Sequence, residues 1–179
     1  MKRLAAFLAA AALSFAAHAQ QPGPRPADPE LLKALDREIW QPFVRAYAEH
    51  KPDDYIALHS RQLIRVSAEQ KSIDPYELWV ERTRAMFKSF ADRGRRFSIA
   101  FRFTERIAGA DTASERGIFE FTVIAPNADP RRFYGKFHVL SRKEDGRWKI
   151  LSDYDSREGG TIDAASFAAA HAPDDYARY

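Results

Sequence analysis

After Gly94 the apolar residues of this chain change their spacing, and that change limits the fold more than any other feature. Before it, Leu32, Leu35, Ile39, Phe43 and Ala46 recur every three or four positions, and so do Tyr76, Trp79, Thr83, Met86, Phe87 and Phe90. Each set makes one apolar stripe along an α-helix. After it, Phe97, Ile99, Phe101 and Phe103 alternate with Ser98, Ala100, Arg102 and Thr104, and the same period of two returns around Phe119–Val123, Phe133–Val139 and Trp148–Ile150. Four alternating runs split by turns read as an antiparallel meander. Helices first and strands after give a single α+β domain, with N-terminal helices packed on a curved antiparallel sheet.

Local signals punctuate these elements. Asp28 and Pro29 begin the first helix, and Pro42 is expected to kink or divide it. Pro52 starts a shorter helix through His59, and Gln62–Val66 is a short strand candidate. Asp74 reads as the N-cap of the long aromatic helix, with Pro75 as its first residue. Asp163 to His171 can form a short helix in the tail.

Asp145-Gly146 between alternating runs favours a two-residue type I′ turn, which pairs Glu144 with Arg147. Carried along both strands, that register sets Leu140 opposite Leu151, His138 opposite Asp153 and Lys136 opposite Asp155. In the first hairpin a loop centred near Asp111 sets Arg102 opposite Glu120, within a slip of two residues. One sheet face then carries Arg102, Glu120, Thr122, His138 and Asp153, and the other carries the phenylalanines. Both faces hold apolar area. The long helix covers one, and a second copy of the chain is the expected cover of the other, giving a homodimer through the sheet.

The N-terminus reads as a signal peptide over residues 1–19: Met1-Lys2-Arg3, an apolar run from Leu4 to Ala17, then the small-x-small site Ala17-His18-Ala19. The run is too short to span a bilayer, so no stable membrane anchor is expected after cleavage, and the protein is expected to be periplasmic or secreted. Residues 20–28 hold Pro22, Pro24 and Pro26 and read as an extended leader. The domain is assigned to 29–157 and the tail to 158–179. The formal net charge of +3 includes Lys2 and Arg3, and no basic stripe with interleaved aromatics suggests nucleic acid. The chain has no Cys, which removes disulfides and thiolate chemistry. His50, His59, His138 and His171 have no metal-ligand spacing, and neither a metal nor a cofactor is expected.

The order of helix, short helix, short strand, long capped helix and four strands resembles the nuclear transport factor 2-like superfamily, in particular its small SnoaL-like bacterial members. Phe43-Val44-Arg45-Ala46-Tyr47 through Asp54-Tyr55-Ile56-Ala57-Leu58-His59 is similar to the family's opening helices, and Asp145-Gly146-Arg147-Trp148-Lys149-Ile150 to its closing hairpin. The likeness covers Leu31 to Ser156. It implies a cone whose sheet wraps a long helix and whose wide end forms a pocket. Family members include ketosteroid isomerases, polyketide cyclases, dehydratases, epoxide hydrolases with an Asp-Arg-Asp arrangement, and binding modules. Two functions from different classes follow. One is an exported domain that binds a small apolar molecule or a partner chain. The other is a cofactor-free acid–base enzyme, with His138 and Asp153 as the catalytic pair. Tyr55, His59, Trp79, Arg102, Glu120 and Tyr134 are the expected ligand-binding residues. A cross-strand His–Asp pair and an aromatic stripe are also ordinary structural features.

Overall fold

The computed structural model describes residues 27–179. The expected signal peptide and most of the leader lie outside the described residues.

A helical stretch runs from α1 (Pro29–Leu35) through a π-helical turn (Asp36–Trp40) into α2 (Gln41–Ala48). Asp28 caps it by accepting from the Glu30 N–H at 2.9 Å. Pro42 does not divide the helix. The wide turn before it absorbs the missing donor and the ring's clash with the preceding turn, and it sets Asp36, Ile39 and Trp40 inward. The shorter α3 (Pro52–Ile56) stops before His59, which opens β1 (His59–Ser67). Then come β2 (Ser72–Pro75), α4 (Tyr76–Asp92), β3 (Arg96–Ala108), β4 (Thr112–Ile124), β5 (Arg131–Glu144), β6 (Arg147–Ser156) and, in the tail, α5 (Ala164–Ala169). Asp74 is not the cap of α4. It lies in β2, where the Arg82 guanidinium donates to its carboxylate at 2.7 Å.

Six strands form one sheet in the order β2-β1-β6-β5-β4-β3. All neighbours are antiparallel except β1 and β6. Trp79, Thr83 and Phe87 of α4 are buried as the stripe required, and together with α2 they close the concave side. Gly94 ends the helix at φ +60, a conformation glycine adopts without strain.

Two bulges set which side chains point inward. The Asp145-Gly146 turn has both residues at positive φ, as type I′ requires, and the expected register holds from Glu144↔Arg147 to Ser141↔Ile150. There it slips by one residue at Leu151. Beyond the slip Leu140 faces Ser152, Val139 faces Asp153 and His138 faces Tyr154. The expected His138–Asp153 pair is therefore not formed, because one inserted residue sends Asp153 to the opposite face. In β3 a second bulge at Thr104 turns Arg106 inward, opposite Glu115. The first hairpin is displaced by two residues: Arg102 faces Ile118 and Ala100 faces Glu120. Arg102 and Glu120 keep their common convex face but are not directly opposed.

The tail covers part of that convex face. Asp163 and Ser166 form a reciprocal cap on α5, which packs on β4. His171 then pairs with the β3 edge through Phe103, with N–H to O distances of 2.8 and 2.9 Å. The expected cover by a partner subunit is thus supplied in part by the chain itself. Beyond His171 the tail reaches the narrow end, where Arg106 bridges Asp36 at 2.6 Å and Glu115 at 2.7 Å. Trp40 Nε1–H donates to Glu115 at 2.9 Å and Tyr176 O–H to Asp36 at 2.7 Å.

Candidate functional site

The concave side encloses a cavity of about 360 Å³. Trp40, Phe43, Tyr47 and Tyr55 line it from the helices, and Phe101, Phe119, Phe121, Phe133 and Phe137 from the sheet. Glycines make room for two of these rings. Gly117 faces Phe137 and Gly135 faces Phe119 across the β4–β5 ladder. A Cβ on Gly135 would lie 2.5 Å from the Phe119 ring.

Among these aromatic walls sit three charged side chains. Asp153 and Asp155 project from one face of β6, and Arg65 projects from β1 beside them. Arg65 Nε lies 3.4 Å from Asp153 Oδ2, and its guanidinium also pairs with Asp155. Burial raises the Asp153 carboxyl above the ordinary carboxylate range despite Arg65. Burial alone would lower Arg65, but the two carboxylates outweigh it and keep the guanidinium charged. Burial pushes Tyr47 up to about 12 and raises Tyr55 as well, so both phenols are neutral. The set offers a buried carboxyl whose pKa is raised by desolvation, a second carboxylate and two phenols facing an apolar space.

No protein-family model and no curated protein matches the sequence. Solved structures do. An NTF2-like protein of unknown function from Shewanella oneidensis is 21% identical, with a TM-score of 0.52 over 67% of this chain and 94% of that one. A ketosteroid isomerase-like protein from Erwinia carotovora is 16% identical, with a TM-score of 0.53 over 71% and 95%. A conserved protein from Planctomyces limnophilus is 14% identical, with a TM-score of 0.58 over 68% and 91%. The chain has the nuclear transport factor 2-like fold.

In this nuclear transport factor 2-like cone, Asp153 and Tyr55 are the two expected site residues that line the cavity. His59 and Trp79 pack behind Tyr55, with ring centres 4.3 Å apart. His59 is buried and its pKa falls to about 3, chiefly from desolvation. It is therefore neutral, and its Nδ1–H donates to the Tyr55 carbonyl at 3.0 Å. His138 lies on the convex face, where Ser114 Oγ is 2.9 Å from its Nε2. Arg102, Glu120 and Tyr134 are convex too, and they do not wall the cavity. Arg102 donates to the carbonyls of Ala168 and Ala170 at the end of α5, and Tyr134 O–H donates to Glu120 at 2.7 Å. Arg102 thereby anchors the tail, and the Tyr134 ring packs near Phe167 of α5, with ring centres 6.0 Å apart.

The residues that sequence reasoning missed are Arg65 and Asp155. A sequence signal existed for Asp155 but not for Arg65. Asp153 and Asp155 share one face of a strand by spacing alone. In β1 the charged Arg65 stands between Ile64 and Val66, and only the structure shows that Ile64 is exposed while Arg65 turns inward. Among the described residues no three His, Asp or Glu side chains gather in a way that could hold a metal, and no helix is long and apolar enough to cross a membrane.

Proposed function

We propose that this protein is an exported domain whose cone binds a small, largely apolar molecule carrying one hydroxyl or similar donor. The observation that carries the reading is the placement of Asp153, Arg65 and Asp155 in an aromatic cavity. Two carboxylates share one guanidinium there, so acceptor capacity is left over for a ligand. The aromatic walls favour burial of the apolar body, and the carboxylates fix its orientation. Export rests on the sequence of residues 1–19.

Isothermal titration of the full chain with α,ω-alkanediols (octane, decane and dodecane) tests this. Binding should weaken roughly tenfold in Asp153→Asn, the scale of one lost charge-assisted hydrogen bond. If no diol binds, or if affinity is the same in the variant, the reading fails.

A second reading is favoured by one specific observation. Asp153, Arg65 and Asp155 form an Asp-Arg-Asp set, the arrangement that the family resemblance associates with epoxide hydrolases. Asp155 would accept a proton from water as its oxygen attacks a ring carbon. The C–O bond of the ring breaks, and protonated Asp153 gives its proton to the leaving oxygen. Burial of Asp153 supports the donor role. His138, on the other face, takes no part. Diol formation from styrene oxide, abolished in Asp153→Asn with the fold retained, would select catalysis. An unchanged background rate would leave binding as the function.

A further inference from the structure

The mouth of the cavity carries charge of the opposite sign to its interior. The connection from α4 to β3 presents Arg95, the start of β5 presents Arg131, and the residue after β6 is Arg157. Arg131 and Arg157 are exposed and Arg95 is half-buried. A second depression beside the cavity is lined by Arg95 and Arg131, and it shares Phe121 and Phe133 with the cavity itself. Arg131 and Arg157 lie 5.5 and 5.4 Å from the centre of the Phe133 ring, so both guanidinium groups border the same aromatic lip. Among the described residues, Arg95, Arg131 and Arg157 have no carboxylate oxygen within 4.0 Å. Asp129 lines the depression, and the Glu69 carboxylate accepts the Arg157 backbone N–H, which leaves an excess of cations at the mouth.

We infer that the molecule held in the cone is an amphipathic anion whose apolar body fills the cavity and whose anionic head is held at the mouth by Arg131 and Arg157. This deepens the binding reading above and rests on it. The head must face outward. An anion pushed to the interior would meet Asp153 and Asp155, whose one guanidinium is already shared between them. At the mouth the same head meets planar guanidinium forks that suit a carboxylate. A volume of about 360 Å³ suits one chain or a small ring system and not a two-chain lipid. The ligand class is therefore a small apolar acid, best with a donor at its far end.

The test compares ω-hydroxyalkanoates (octanoate, decanoate and dodecanoate) with α,ω-alkanediols of equal length by calorimetry on the full chain. Each pair differs only at one end, where a carboxylate replaces a hydroxymethyl group. The acids should bind roughly tenfold more tightly than the diols, as expected of two solvent-exposed charge contacts. The gain should shrink as salt rises, because exposed charges are screened. In Arg131→Gln/Arg157→Gln the acids should fall to the affinity that the diols show for the same variant. A cooperative urea-unfolding transition like that of the unaltered chain shows that the variant is folded. Equal affinity of acids and diols in the unaltered chain would overturn the inference and leave the binding reading intact. A preference for acids that survives in the double variant would overturn the assignment to these two arginines. Binding of neither series would overturn both readings.

Discussion

His59 makes the stability of this protein depend on pH in a way that one substitution isolates. The ring is buried between Tyr55 and Trp79, its Nδ1–H is used by the Tyr55 carbonyl, and Nε2 has no partner. Protonation would place a charge in that aromatic surrounding, so desolvation lowers the pKa from 6.5 to about 3. In the unfolded chain the ring regains its ordinary pKa. The unfolded state therefore binds more protons than the native state below pH 6.5. Stability is complete above that value and falls as pH drops toward 3. The slope approaches about 1.4 kcal/mol per pH unit, and the loss between pH 7 and pH 5 is about 2 kcal/mol. Urea unfolding at those two pH values, on the unaltered chain and on His59→Phe, measures it. The variant gives up one hydrogen bond, at a cost of about 1 kcal/mol, but keeps an aromatic ring in the site. Its stability should fall less between the two pH values, by about 2 kcal/mol. Other histidines, including His138, contribute equally to both proteins and cancel in the comparison. Parallel losses would show that His59 can be protonated in the folded state, and the burial argument would be refuted.

Arg106→Met should cost about 3–5 kcal/mol in the same assay, because it strands the buried carboxylates of Asp36 and Glu115; a loss below about 1 kcal/mol would show that this cluster is open to water. Gly135→Ala should destabilise the cone and weaken diol binding, since the new methyl collides with the Phe119 ring and the Ser156 carbonyl; unchanged binding would show that the ring moves aside freely. On the convex face Ile64, Ser152, Leu140, Ser114 and Ile107 lie in one row across five strands, and Ile64, Leu140 and Ile107 are exposed. Light scattering at micromolar concentration should find a dimer that Leu140→Asp dissociates; a monomer before the substitution refutes it. The protein recovered from the cell envelope should have an intact mass that begins at Gln20, and a mass that includes Met1 would refute cleavage.

The fold was legible because its main signals are local. The α4 stripe, the Gly94 stop, the alternating phenylalanines and the Asp145-Gly146 turn each act over a few residues, and each stands where the spacing put it. The candidate site was legible only to the first irregularity. Alternation assigns faces correctly until a residue is inserted, and then reverses every assignment beyond it. Leu151 is such a residue, and it separates the turn that fixed the register from the aspartates whose faces depended on it. Thr104 does the same for Arg106, which alternation places outside and the structure buries. The parallel pairing of β1 with β6 joins residues far apart in sequence, so no local pattern could place Arg65 beside Asp153.

The bulges create two charged centres inside one small domain, and the two differ in how their polar atoms are used. At the narrow end Arg106 is enclosed, and its donors are taken by Asp36, Glu115 and the Pro173 carbonyl. Trp40 and Tyr176 supply further donors to the same two carboxylates. Each partner comes from the chain, and the result ties the tail to the first helix. In the cone Arg65 donates to the Asp155 carboxylate and to the backbone carbonyls of Val66 and Asp153, and it pairs with the Asp153 carboxylate, but among the described residues the carboxylates have no second cation. They line a cavity instead of meeting further donors from the protein. A buried carboxylate is costly unless its acceptor capacity is used. The narrow-end cluster meets that cost internally and needs no ligand. The cone leaves its carboxylates facing the cavity, and under the binding reading proposed above the ligand supplies the remaining donor.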